Sequence, residues 1–190
     1  GALMTLLKSI VAGAILLLGL AAQAFANPNE LTIQLKDGPV VIQLMPEIAP
    51  KHVARIKELA AKGAYDNVAF HRVIAGFMAQ TGDVQYGNMA KNFQPQMAGM
   101  GGSDLPNLPA EFSSVPFERG VIGMARAQDP DSANSQFFIC FTDAPWLNKQ
   151  YSVWGQVIEG MDNVDKIKKG EPVVDPDEII SMKVAADIAA

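Results

Sequence analysis

Two neighbouring segments set a cation and an amide among apolar side chains. Phe70-His71-Arg72-Val73-Ile74 places Arg72 within an apolar run, and Phe77-Met78-Ala79-Gln80 follows after Ala75 and Gly76. A third, Ser135-Gln136-Phe137-Phe138-Ile139, again puts an amide beside aromatics, and Trp146-Leu147 adds apolar surface. Alternation along a strand would bring Met78 and Gln80 to one face and Phe77 and Ala79 to the other, and would let Gln136 and Phe138 share a face. Such a set builds either an aromatic core with a snorkelling arginine or an apolar cleft with one fixed cation and two amides.

Other chemistries lack their residues. There is no G-x-S-x-G elbow, phosphate-binding G-x-x-x-x-G-K-[ST] loop or H-E-x-x-H helix. Gly99-Met100-Gly101-Gly102 neither follows a strand nor opens a helix, so it does not read as a nucleotide loop. His52 and His71 lie on unrelated segments, and with one cysteine they make no structural zinc set, so neither metal nor cofactor is expected. No nucleophile–base pair is visible, which leaves a hydrolase as a distant reading. The net charge of −5 lacks the basic footprint of a nucleic-acid binder. With 49% hydrophobic and 18% charged residues, the chain is globular. Cys140, within Phe137–Phe141, is expected to be buried.

The elements that must carry these residues are mostly strands. Leu31–Leu35 and Val40–Leu44 flank Asp37-Gly38, a pairing that predicts a hairpin with a type I′ turn. Val53, Ile56, Leu59 and Ala60 fall at helical spacing within Lys51–Lys62, with Pro50 suited to the first turn and Gly63 to the stop. Strands are expected at Ala69–Arg72, Phe77–Gln80, Gly120–Ala127, Gln136–Phe141, Tyr151–Ile158 and Ile179–Val184, and a short helix at Met161–Lys168. Val84–Arg119, rich in Gly, Met, Asn, Gln and Pro, reads as long surface connections with at most one short strand. Many strands with two helices suggest a closed barrel or a sandwich.

Residues 1–26 read differently from the rest. They hold a single base, Lys8, then an apolar run from Ile10 to Leu20, then Ala24-Phe25-Ala26. This is the pattern of a cleaved secretory signal peptide. The run is short for a span of about 20 residues, so no stable membrane anchor is expected. The expectation is a signal peptide over 1–26, a domain over 27–190 and a periplasmic location.

Phe70-His71-Arg72-Val73-Ile74-Ala75-Gly76-Phe77-Met78-Ala79-Gln80-Thr81-Gly82-Asp83 closely resembles the signature of the cyclophilin peptidyl-prolyl cis-trans isomerases. Gly123–Ala127, Ser135–Ile139, Trp146-Leu147 and Val153–Met161 resemble the family's later motifs in the same order. The resemblance runs through nearly the whole of residues 27–190. It implies a mostly β fold, a closed antiparallel eight-stranded barrel capped by two α-helices, with the site on the barrel's outer face. It also implies a monomer that acts on proline-containing polypeptides and binds cyclosporin-type ligands.

By the same resemblance, Arg72 matches the catalytic arginine, and Phe77, Met78, Phe138 and Leu147 match the pocket for the proline ring. Gln80 matches the amide that supports the arginine, Ala125, Arg126 and Ala127 the segment whose backbone pairs with the peptide, and Gln136 and Trp146 further walls. His71 matches a supporting position. There are departures: Tyr151 stands where histidine is common, Arg126 where asparagine is, and Thr81 and Asn134 where glycine is. Only the backbone of Arg126 is expected to matter, and residues 84–119 carry no transferred site residue.

The implied reaction suits the missing motifs. Amide resonance opposes rotation about an X-Pro bond with a barrier of about 18–20 kcal/mol. No bond breaks, so no nucleophile or metal is needed. A guanidinium aimed at the pyramidal nitrogen of the twisted amide stabilises it more than the planar ground state. Going from roughly 0.01 to roughly 10 per second needs only about 4 kcal/mol. The implied role is faster rotation of X-Pro bonds in folding exported proteins. The alternative is a holdase chaperone that binds proline peptides with little catalysis, using adaptable contacts from Met89, Met97 and Met100.

Overall fold

The computed structural model describes residues 26–189, so the expected signal peptide lies outside the described residues except for Ala26. β1 (Glu30–Leu35) and β2 (Gly38–Leu44) form the expected hairpin. Leu31, Ile33 and Leu35 alternate inward, as do Val40, Ile42 and Leu44. The turn differs from the prediction by one residue. Leu35 pairs with Gly38, so Lys36 and Asp37 form the turn, and the positive φ falls on Gly38 at +139°. A Cβ there would stand 2.7 Å from the Asn163 side chain, so packing as well as backbone angle calls for glycine.

α1 (Pro50–Ala61) buries Val53, Ile56, Leu59 and Ala60 as their spacing requires, with His52 and Arg55 beside them. Its N-cap, Ala49, has no side-chain acceptor, and the cap comes from 60 residues away. Glu111 accepts from the Lys51 and His52 backbone N–H groups at 3.3 and 2.9 Å, and its carboxylate lies 2.5 Å from His52 Nδ1. It thereby satisfies two otherwise orphaned donors of the first turn.

The remaining strands are β3 (Arg72–Ile74), β4 (Met78–Thr81), β5 (Val121–Met124), β6 (Phe137–Cys140), β7 (Val153–Glu159) and β8 (Ser181–Val184). They join the hairpin in one antiparallel sheet ordered β3-β4-β6-β5-β7-β2-β1-β8. The eight antiparallel strands are those expected, but closure is indirect. The edge strands β3 and β8 share no ladder, and the chain from Gly170 to Ile180 lies between them. Gly170 exchanges two 2.8 Å backbone bonds with Val73, Phe70 donates to Asp177, and Ile180 donates to Gln34. The sheet is a strongly curled half-barrel completed by irregular chain.

α2 (Met161–Asp165) starts after Gly160, whose φ is +83°, and is shorter than expected; α3 (Ala185–Ala189) was not anticipated. No strand forms between Val84 and Arg119, where only Asn88 and Leu108 make isolated bridges. The sheet separates two apolar clusters. Ile33, Ile42, Ile56, Phe137 and Trp154 fill its concave side. Met78, Phe117, Val121, Phe138, Cys140 and Leu147 pack on the other. Cys140 is fully buried there, which pushes its thiol pKa up. This outer cluster is the floor of the site.

Candidate active site

Arg72 opens β3 directly opposite Gln80 on β4, and Gln80 lies opposite Phe138 on β6. Three adjacent strands thus bring a cation, an amide and an aromatic ring to one outer surface. They line a cleft of about 120 Å³ with Met78, Leu147 and Tyr151. Phe77 lines it too, against the alternation expected for it, because it sits in the turn after Gly76 and only Met78 begins β4. Leu147 reaches the cleft from a single 3₁₀ turn, Pro145–Leu147. In the same turn Trp146 stays 62% exposed, with its ring centroid 5.6 Å from that of Phe77 on the rim.

A directed hydrogen-bond chain holds the polar side of the cleft. Arg72 donates through Nε to Glu171 Oε1 at 2.9 Å and through Nη1 to Gln80 Oε1 at 3.2 Å. Gln80 Nε2 donates to Gln136 Oε1 at 3.1 Å, and Gln136 Nε2 donates to the Gly101 carbonyl at 2.8 Å. Arginine only donates, so its presence at one end orients both amides. The far end is held by Asp83, which is fully buried. Its Oδ1 accepts from the Gln85 and Tyr86 amides, and its Oδ2 from those of Gly99 and Gly101 at 2.8 and 3.0 Å.

A second hollow of about 300 Å³ adjoins the first, sharing Gln80, Ala125 and Arg126 with it. Ala127 and Gln136 belong to this hollow, with Met100 and Asn134 among the other walls. Ala125 pairs its N–H with the Gln136 carbonyl at 2.9 Å. Asn134 ties down the loop opposite by accepting from Ser103 and donating to the Leu105 carbonyl.

Two expectations need correction. The Arg126 side chain, expected to matter only through its backbone, lines both hollows and lies over the Tyr151 ring at 4.5 Å. Tyr151 in turn meets Phe138 edge-on at 5.7 Å. His71 does not face the cleft. Successive residues of an extended segment point to opposite sides, so Arg72 faces outward and His71 is buried behind it, against a separate hollow walled by Met89, Phe93 and Pro172. Burial lowers its pKa.

Asp83, Gly101 and Glu171 were not read as site residues from the sequence. Asp83 ends the quoted motif, which was the available signal; Glu171 is 99 residues from its partner and carried none. Among the described residues, no three His, Cys, Asp or Glu side chains gather as a metal site, and no helix is long and apolar enough to cross a membrane.

The model of the cyclophilin type peptidyl-prolyl cis-trans isomerase family matches residues 30–184. A probable peptidyl-prolyl cis-trans isomerase of Brucella suis is 58% identical over 171 residues, covering 87% of each chain. A peptidyl-prolyl cis-trans isomerase of Helicobacter pylori is 37% identical over 153 residues, 78% of this chain and 86% of that one. Among solved structures, the cyclophilin AquaCyp293 from Hirschia baltica superimposes with a TM-score of 0.74 at 28% identity, over 84% of this chain and 75% of that one. A Cryptosporidium parvum cyclophilin type isomerase, solved in the presence of the dipeptide Ala-Pro, gives 0.70 at 26% identity, over 82% and 98%. With its fold, its outward-facing arginine and these relatives taken together, the chain belongs to the cyclophilin-type peptidyl-prolyl cis-trans isomerases.

Proposed function

We propose that this isomerase serves the folding of exported proteins in the periplasm and that Arg72 is its catalytic residue. The leader pattern of residues 1–26 supports the location. For catalysis, the observation that carries the reading is the restraint on Arg72. Glu171 and Gln80 engage Nε and Nη1, which leaves the Nη2 edge without a protein acceptor among the described residues, beside an apolar floor. The guanidinium is therefore oriented before substrate arrives. Met78, Phe138 and Leu147 hold the proline ring while Nη2 donates to the pyramidal nitrogen of the twisted amide. That lone pair is withdrawn into resonance in the planar amide, so the contact favours the transition state over either isomer. Phe77 and Trp146 form an apolar rim that suits large cyclic peptides of the cyclosporin type.

The test has two arms. Exchange in a proline peptide, followed by NMR, is expected to fall about 100-fold in Arg72→Ala, as for loss of one transition-state donor, with an unchanged circular dichroism spectrum and much of the peptide affinity retained. A full-speed Arg72→Ala would overturn the assigned role. For location, expression of the full chain in a Gram-negative host should yield periplasmic protein beginning near Asn27 by mass spectrometry. Unprocessed cytoplasmic protein would overturn the export reading.

A further inference from the structure

We propose that Arg126 sets the peptide preference of the cleft, favouring proline segments with a carboxylate side chain on residues that run into the second hollow. The proposal rests on the cleft being the proline-peptide site. Arg126 stands where the two hollows meet, so a chain with its proline in the first must pass it to enter the second.

The charges are distributed unevenly. The protein as a whole carries −5, yet among the described residues the only charged side chains lining the two hollows are Arg72 and Arg126. Arg72 is paired with Glu171 at 2.9 Å. Arg126 has no carboxylate partner among the described residues. It donates through Nη1 to the carbonyls of Ala127 and Gln128, and through Nε and Nη2 to that of Gln150. Carbonyl oxygens orient a guanidinium without cancelling its charge. Nearby Asp129 and Asp131 are turned to backbone amides, of Asp131 and Ala110 respectively.

The stack on Tyr151 completes the arrangement. It holds the guanidinium over the ring at 4.5 Å, and with the three carbonyls already bonded it leaves the remaining Nη2 N–H for an incoming acceptor. A carboxylate bound there would meet a side chain whose freedom is already lost, so little further ordering opposes the contact. The two departures from the family pattern, Arg126 and Tyr151, thus form one unit. Lysine cannot replace it fully, lacking both the planar stack and the fork.

The alternative is that Arg126 only clasps the chain at Gln150 to the chain at Ala127. Peptide sets carrying Glu, Gln or Lys at one position, two residues before or after the proline, separate the two. In at least one set, kcat/KM for Glu should exceed that for Lys by about tenfold in the wild type, as for a partly exposed charge-assisted contact. The ratio should shrink to about twofold in Arg126→Gln, fall to an intermediate value in Arg126→Lys, and narrow in high salt. An equal drop for all peptides in Arg126→Gln, with the ratio unchanged, would overturn the proposal, as would equal wild-type rates in both sets. If Arg126→Gln does not fold, a wild-type ratio insensitive to salt would overturn it. If the wild type isomerises none of the peptides, the isomerase reading itself fails. The preference is then read from their dissociation constants by Trp146 fluorescence, where equal affinity for Glu and Lys peptides overturns it.

Discussion

Gly101 faces Asp83 with its N–H and Gln136 with its carbonyl, at 3.0 and 2.8 Å. The buried carboxylate is thereby linked, through one glycine and two amides, to the guanidinium of Arg72. A Cβ on Gly101 would stand 2.5 Å from Asp83 Oδ1, so glycine is required for this approach. The loop that read in the sequence as a surface connection is an anchored wall of the site.

Asp83→Ala strips the acceptor from four backbone amides. Leaving several buried donors unsatisfied costs on the order of 3 kcal/mol, readable as a lower urea midpoint. At temperatures where the variant is folded, kcat/KM should still fall about tenfold, because Gln136 and Gln80 lose their anchor. Asp83→Asn, which keeps one acceptor oxygen, should recover part of both. Full activity in a folded Asp83→Ala would show that the chain does not position Arg72.

Stability should fall on acidification. Burial lowers the pKa of His52 from its ordinary 6.5, against the hydrogen bond to Glu111 that favours the charged form. Its Nε2 is buried without a partner, so a second ring proton would have no acceptor. Burial lowers His71 likewise. Burial acts to raise Glu111, but bonds from the His52 ring and from two backbone amides outweigh it, leaving it below 4.5. All three values are depressed in the folded state, so the unfolded chain takes up protons first as pH falls. Their contribution is complete above about pH 6.5, declines below it, and declines further below about 4.5. The urea midpoint measured across that range should trace this fall, and His52→Gln should flatten its upper part. A midpoint constant between about pH 7.5 and 5 would refute the assignment.

Gly123→Ala tests how tightly the floor is packed. The added methyl would lie 2.6 Å from both Phe117 and Phe138, whose rings stack at 5.6 Å. Overpacking of this kind costs about 1–3 kcal/mol. Since Phe138 lines the cleft, KM for proline peptides should rise alongside the drop in thermal midpoint. A change in the midpoint with KM untouched would mean that Phe117 alone yields.

Much of this was legible where the pattern was local. Alternation marked β1 and β2, and helical spacing marked α1 to within a residue at either end. Strand parity put Met78 beside Gln80, whereas the grouping of Arg72, Gln80 and Phe138 in one site came from the family resemblance. The misses share a different cause. The hairpin turn moved by one residue because Gly38 is taken into the ladder opposite Leu35, which leaves Lys36 and Asp37 at the turn. Phe77 reached the cleft because β4 starts one residue later. Glu171 and Glu111 act on residues far away in the chain, and no local pattern announces such partners. The side chain of Arg126 could be given a role only once Tyr151 was seen beneath it.

The strand order has a further implication. β1 and β2 come first in the chain, yet their outer neighbours are β8 and β7. As the polypeptide emerges, the first hairpin carries two bare hydrogen-bonding edges until its final segments arrive. Such edges invite pairing with other chains. Early in its own synthesis, this isomerase is therefore itself open to mispairing.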